Sequence, residues 1–253
     1  MADYKGIQGY SVQNLSSDPG TISEVEGQLW YNSSSGKFKV AVEGAVAWAT
    51  AADMGTARYF GIGTGTQTAA LCSGGRSPAV ADLKINEEYN GTAWTEVGDM
   101  TNGRKNASGG AGTQTAALIF GTAPTTALVE EWNGTGWTEK GDLNTPRQYG
   151  STSTAGTITA ALCFGGGPSS PGSLVNESFD GTSWTEEADL NFARYRSTGA
   201  GTLTAAIVSG DANAPEEDKS ETWNGTSWTA AGDLNEGGYA MAGAGTQSAA
   251  WGM

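Results

Sequence analysis

One unit recurs five times along this chain, and the recurrence limits the fold more than any single residue does. Aligned on its tryptophan, the unit falls at Trp48, Trp94, Trp137, Trp184 and Trp228, with spacings of 46, 43, 47 and 44 residues. An aspartate stands five places after each: Asp53, Asp99, Asp142, Asp189 and Asp233. An arginine stands ten places after the first four (Arg58, Arg104, Arg147, Arg194), and Gly238 fills the fifth slot. A second block of the form GTxTAA begins at Gly65, Gly112, Gly156 and Gly201, and as GTQSAA at Gly245. A unit of this size cannot bury a core alone, so neighbouring copies must stack.

Composition decides what the unit is built from. The chain of 253 residues contains 39 glycines and only 16% charged residues. Glycine and β-branched residues disfavour helix interiors, so the expectation is all-β. Within one copy, Gly112 to Phe120 reads as an inner strand. A variable loop, GTAPTT, follows, and then a strand from Ala127 to Trp132. Asn133-Gly134 reads as a tight two-residue hairpin turn leading to a strand that carries Trp137. The turn recurs at Asn90-Gly91, Asp180-Gly181 and Asn224-Gly225, each preceded by an aromatic: Tyr89, Trp132, Phe179 or Trp223. One aromatic on each hairpin arm predicts a layered aromatic core between sheets, each ring burying about 150–250 Å².

The first partial unit holds only the hairpin half (Lys37 to Thr50), and the last ends after its GTQSAA half. These halves are complementary. The expectation is a single five-bladed ring over 37–253, in which N-terminal strands complete the sheet begun by the C-terminal ones and leave few free edges. Residues 1–36 form the other part. Residues 1 to 27 carry isolated apolar residues (Tyr4, Ile7, Tyr10, Val12, Leu15) without a period, so they are expected to be extended and ordered by lying either on the body that follows or on a partner. Leu29–Asn32 and Lys37–Val42 flank SSSG as a hairpin.

A net charge of −14 argues against nucleic acid and anionic membranes as partners. The absence of histidine removes the commonest general base and metal ligand, so no metal or cofactor is expected. No signal peptide and no membrane-spanning run is expected. Cys72 and Cys163 follow the same ALC step in two non-adjacent units, which predicts two core thiols rather than a disulfide.

The residues 37–253 resemble the kelch family of β-propellers. The resemblance is carried by the doublets Gly74-Gly75 and Gly165-Gly166, answered by Gly121-Thr122 and Gly210-Asp211 elsewhere, and by the paired aromatics of the hairpins. It implies a kelch-like propeller. A second resemblance joins MADYKGIQGYSVQNLSSDP and GQLWYNSSSGKFKV to the N-terminal parts of structural proteins of marine tailed phages, and AGTQTAALIFG…VEEWNGTGWTE to their repeats. It implies a virion protein of the tail, a fibre or the capsid surface, with the N-terminal segment as attachment piece. Other virion proteins, host surface glycans and further copies of the chain are the partners to consider.

Three constellations were candidates for chemistry. The Asp/Arg series is either a ring of carboxylates for a sugar or cation, or a set of structural pairs; recurrence in every unit favours pairs, joined by charge-assisted hydrogen bonds. Tyr59, Tyr195 and Tyr239 lie six residues before the GTxTAA glycine, with Tyr149 one residue out of register. They form a candidate sugar-stacking rim set against packing between blades. Glu87-Glu88, Glu130-Glu131 and Glu216-Glu217-Asp218 cannot act as glycosidase pairs, since neighbours on a strand face opposite sides, and a solvated outer surface is expected. Recognition, if any, is expected in the loops Arg76 to Leu83, Thr122 to Thr126, Pro168 to Ser173 and Asp211 to Lys219. The function expected is a non-enzymatic virion component that adheres or decorates. A free lectin propeller is the alternative, and a glycan-cleaving enzyme the third.

Overall fold

The computed structural model describes residues 13–15, 29–34, 37–40, 51–79, 82–152, 156–213, 215–239 and 243–252. The chain divides into two compact units, 1–50 and 51–253. In the first, β1 (Gln13–Leu15) pairs in parallel with β2 (Leu29–Asn32), which forms an antiparallel hairpin with β3 (Lys37–Val40). The SSSG hairpin expected from sequence is therefore present, and Leu15 lies on a strand. Tyr4, Ile7, Tyr10, Val12 and Trp48 lie outside the described residues.

The second unit is all-β. Four sheets each hold four antiparallel strands in sequence order. The first comprises β4 (Ile62–Thr66), β5 (Ala69–Ser73), β6 (Asn86–Tyr89) and β7 (Trp94–Val97). The second comprises β8 (Gly109–Gly112), β9 (Ala117–Thr122), β10 (Thr126–Trp132) and β11 (Trp137–Glu139). The third comprises β12 (Ser151–Thr152), β13 (Ala161–Phe164), β14 (Asn176–Phe179) and β15 (Trp184–Glu186). The fourth comprises β16 (Thr198–Thr202), β17 (Ala205–Ser209), β18 (Ser220–Trp223) and β19 (Trp228–Ala230). A final pair, β20 (Gly243–Thr246) and β21 (Ala249–Gly252), repeats the first half of a sheet. The leading strands lie side by side in the order β4, β8, β12, β16, β20. This is a propeller-like architecture, with each sheet as a blade.

Two local expectations change. The GTxTAA block is not one strand. It holds the turn between the first and second strands: Thr66 pairs with Ala69 and Thr202 with Ala205, leaving two residues at each tip. The glycine before each tip makes this possible, with φ of +105° at Gly65 and +114° at Gly112, values side chains rarely adopt. The Asn-Gly element is likewise not a two-residue turn. Tyr89 pairs with Trp94 and Trp132 with Trp137, so four residues lie between the arms. The Asn side chain organises the loop: Asn133 Oδ1 accepts from the backbone N–H groups of Thr135 and Gly136, both at 3.0 Å. Asp180 does the same for Thr182 and Ser183, and those donors, Ser183 first, hold its carboxyl below the ordinary aspartate value.

The aromatic pairs do form the layers between blades. Trp132 and Trp137 have ring centroids 5.5 Å apart, as do Trp223 and Trp228. Across blades, Phe120 meets Trp184 and Phe164 meets Trp228 edge to face, each at 5.0 Å. Leu118, Phe120, Cys163, Phe179 and Trp184 share one such core.

Charge holds the blades as well as apolar packing does, but not through the aspartates. Asp53, Asp99, Asp142, Asp189 and Asp233 are all exposed. The arginines instead pair with a glutamate on the third strand of the blade that follows: Arg58 with Glu87, Arg104 with Glu130 at 2.9 Å, Arg147 with Glu177, and Arg194 with Glu221 at 3.1 Å. None of these eight side chains is more than 2% exposed. This overturns both the Asp/Arg pairing and the solvated surface expected of Glu87 and Glu130. Strand alternation turns one member of each Glu-Glu doublet inward, which leaves Glu88 and Glu131 only partly buried.

Each pair is embedded in further hydrogen bonds, although Arg104 Nε and Arg194 Nε find no partner among the described residues. Glu130 accepts the backbone N–H groups of Thr101 (2.8 Å) and Asn102 (3.3 Å), three and two residues before Arg104. Arg104 Nη1 donates to the Gly121 and Leu128 carbonyls. The same set recurs around Glu177 and Glu221. The glycine that opens each doublet is required by this neighbour. A Cβ on Gly121, which has φ of +64°, would lie 2.6 Å from the Arg147 carbonyl oxygen.

Removing one partner leaves a buried charge alone. Arg104→Ala should therefore cost about 3–5 kcal/mol in urea unfolding, and the apolar pair Arg104→Met with Glu130→Leu much less. Equal losses would show that the charge is not the source. Burial pushes the Cys163 thiol up to about 12, with Arg147 partly opposing, and raises Cys72 as well. Because the thiolate is the reactive form, iodoacetamide at about pH 8.5 should leave Cys163 unmodified until the protein unfolds.

Candidate functional site

The connector that carries each arginine continues into the leading strand of the next blade. Two residues past the arginine, the chain turns through the left-handed region in all four described copies: Phe60 (φ 59°), Asn106 (50°), Tyr149 (54°) and Arg196 (63°). These are the only non-glycine residues with positive φ among the described residues, against sixteen glycines. Such a conformation costs a bulky L-residue about 1–2 kcal/mol. Adjacent copies are joined in series, since the Tyr149 N–H donates to the Asn106 carbonyl at 3.2 Å and the Arg196 N–H to the Tyr149 carbonyl at 3.0 Å.

These four residues and the strand starts that follow them line a cavity of about 400 Å³ at the leading strands. Its wall is rich in glycine and hydroxyls. Ser151 and Ser197 share a hydrogen bond of 2.7 Å. Three polar atoms of lining residues have no partner among the described residues: Asn106 Oδ1, Ser108 Oγ and Arg196 Nε. Ser108 is 1% exposed.

The tyrosines divide among different surroundings. Tyr149 and Tyr195 come together at 5.2 Å, although one residue out of register in sequence, and the Arg196 guanidinium lies 4.4 Å from the Tyr149 centroid and 5.6 Å from that of Tyr195. Burial raises the Tyr195 phenol, and Arg196 opposes that rise. Tyr59 instead packs edge to face on Phe60 at 5.1 Å, with Arg76 at 6.0 Å from its ring. Tyr239 is 56% exposed and lines a separate open pocket with Pro215, Glu217 and Asp218. Only Tyr149 reaches the central cavity.

The variable loops meet the connectors at this same end. Tyr59 bridges to Arg76 and Gln148 to Gly167, and the Ala212 N–H donates to the Tyr195 carbonyl at 2.9 Å. Asp211, at the second doublet position, accepts from the N–H groups of Asn213 (2.8 Å) and Tyr195 (3.2 Å). Its carboxyl is raised by burial, with the Asn213 donors opposing.

Phe60, Asn106, Ser108 and Arg196 are absent from the sequence-derived candidates. Their common offset from the repeat arginine was available, but four unlike side chains at one offset resemble variation rather than a shared conformation. Among the described residues no group of three or more Cys, Asp or Glu is arranged to hold a metal ion, and no helix is long and apolar enough to cross a membrane. Relieving the backbone at Phe60, which is 49% exposed, should stabilise: Phe60→Gly is expected to gain about 1 kcal/mol in thermal unfolding after the entropy cost of glycine. No gain would mean that the ring packing offsets the strain. No protein-family model matches this sequence, and no curated protein is significantly similar to it.

Proposed function

We propose that this chain is a structural protein of a tailed-phage particle, docked by its N-terminal segment and displaying a five-bladed, kelch-like propeller that adheres to host surface glycans without catalysing a reaction. The observation that carries the reading is a division of labour along the chain. The recurring arginines of the repeats are used up in buried Arg–Glu pairs, whereas variation gathers at one end of the blades. The N-terminal stretch that resembles phage attachment segments belongs to a unit with its own sheet.

Closure into five blades draws support from what the described body leaves unfilled. On the first blade Cys72 is only partly buried, whereas its counterpart Cys163 on the third is buried. On the fourth blade Ile207 and Leu234 are partly exposed where Leu162 and Leu190 are buried. These are the two faces that a fifth blade would cover. The clamp residues agree. Gly238 stands in the fifth arginine slot, and the glutamate slot, seven residues before tryptophan in the other units, falls on Ala41 before Trp48. Both partners are missing together, as a shared blade requires.

A free lectin is the second reading, favoured by the central cavity. The two separate on particle association. Deleting residues 1–27 should yield particles that lack the protein while the remaining chain still folds and stays soluble. Incorporation of the shortened chain at normal level would refute docking by this segment.

A further inference from the structure

We propose that the cavity at the leading strands is a binding site for an anionic sugar, a uronic-acid type of residue, with Arg196 receiving its carboxylate. Three observations converge on it. The chain places glycine at most of its positive-φ positions, yet at the four described positions ringing this cavity it keeps Phe60, Asn106, Tyr149 and Arg196. Strained residues that persist at equivalent places around one cavity point to a use for their side chains. Second, the polar atoms there are unfinished: Asn106 Oδ1, Ser108 Oγ and Arg196 Nε lack partners, and Ser108 is 99% out of solvent by its 1% exposure. Third, the charge is unbalanced. None of the ion pairs among the described residues includes Arg196, in a chain of net charge −14 whose four clamp arginines all have glutamates.

The set of groups defines the ligand class. A guanidinium is a planar fork suited to a carboxylate. Its stacking on Tyr149 fixes the plane of that fork without neutralising it. An amide oxygen and a hydroxyl are what sugar hydroxyls require, and the faces of Phe60 and Tyr149 suit the C–H side of a pyranose ring. A volume of about 400 Å³ lies within the usual range of ligand pockets, about 300–1,000 Å³. A neutral sugar would leave Arg196 unpaired, and a larger polyanion would meet the repulsion of an acidic surface, so a single carboxylated residue fits best.

This deepens the proposed adhesive role, and it is tested on the purified full-length chain, so its failure would leave the particle assignment standing. Binding of glucuronate, galacturonate and glucose is measured by ligand-observed NMR and calorimetry, then extended to oligosaccharides bearing terminal uronic acids. The wild-type chain should bind the uronates and not glucose. Arg196→Gln should weaken uronate binding at least tenfold with thermal stability retained. Arg196→Gly should abolish binding and raise Tm by about 2–4 °C as the backbone strain is relieved. Equal binding of glucose and uronates, unchanged uronate affinity in both variants, or no binding of any uronate would each overturn the proposal.

Discussion

The buried Arg–Glu pair is the interaction on which the rest of this structure depends. Its guanidinium reaches two carbonyls on different strands, and its carboxylate gathers the connector N–H groups just upstream. One ion pair thereby fixes strand to strand and connector to blade at once. Such a pair is tolerable in an apolar interior only because nearly every hydrogen-bonding position is used. The backbone around it is equally determined. The doublet glycine must lack a side chain because the arginine of the next blade passes against it, and the residue two places further on is swung into the left-handed region.

That last step links scaffold to surface. The clamp is identical from blade to blade, and so is the backbone conformation that follows it, but the side chain delivered by that conformation differs every time. Phenylalanine, asparagine, tyrosine and arginine are each presented at the same height around one cavity. A repeated framework thus creates a non-repeating wall. The stability surrendered to four strained residues is small beside the aromatic layers and clamps, which explains how the fold sustains them.

Much of the architecture was legible in the sequence because it rests on period and on neighbouring residues. The all-β class, the repeat boundaries and the aromatic pairs on each hairpin are of this kind. Tyr89 and Trp94, or Phe179 and Trp184, announce their contact by spacing alone. The partner of the arginine was not legible, because an exposed aspartate lies nearer in sequence and the true glutamate stands a blade-width away. Glu130-Glu131 looked like a solvated doublet for a related reason: alternation sends one residue inward, and sequence does not say which one finds a cation. The Asn-Gly loops misled because glycine at positive φ serves a four-residue asparagine-capped loop as well as a two-residue turn. The cavity escaped notice because nothing in Phe60, Asn106, Tyr149 and Arg196 marks them as one set until their backbone angles are seen.

The clamp also has a direction along the chain. Each glutamate follows its arginine by 29, 26, 30 or 27 residues, never preceding it. Every clamp arginine is therefore neutralised within less than one repeat of newly made chain. During synthesis, at most one arginine awaits its partner at any moment, so each blade can settle before the next emerges. Contacts of such short sequence separation favour rapid assembly even in a β-protein.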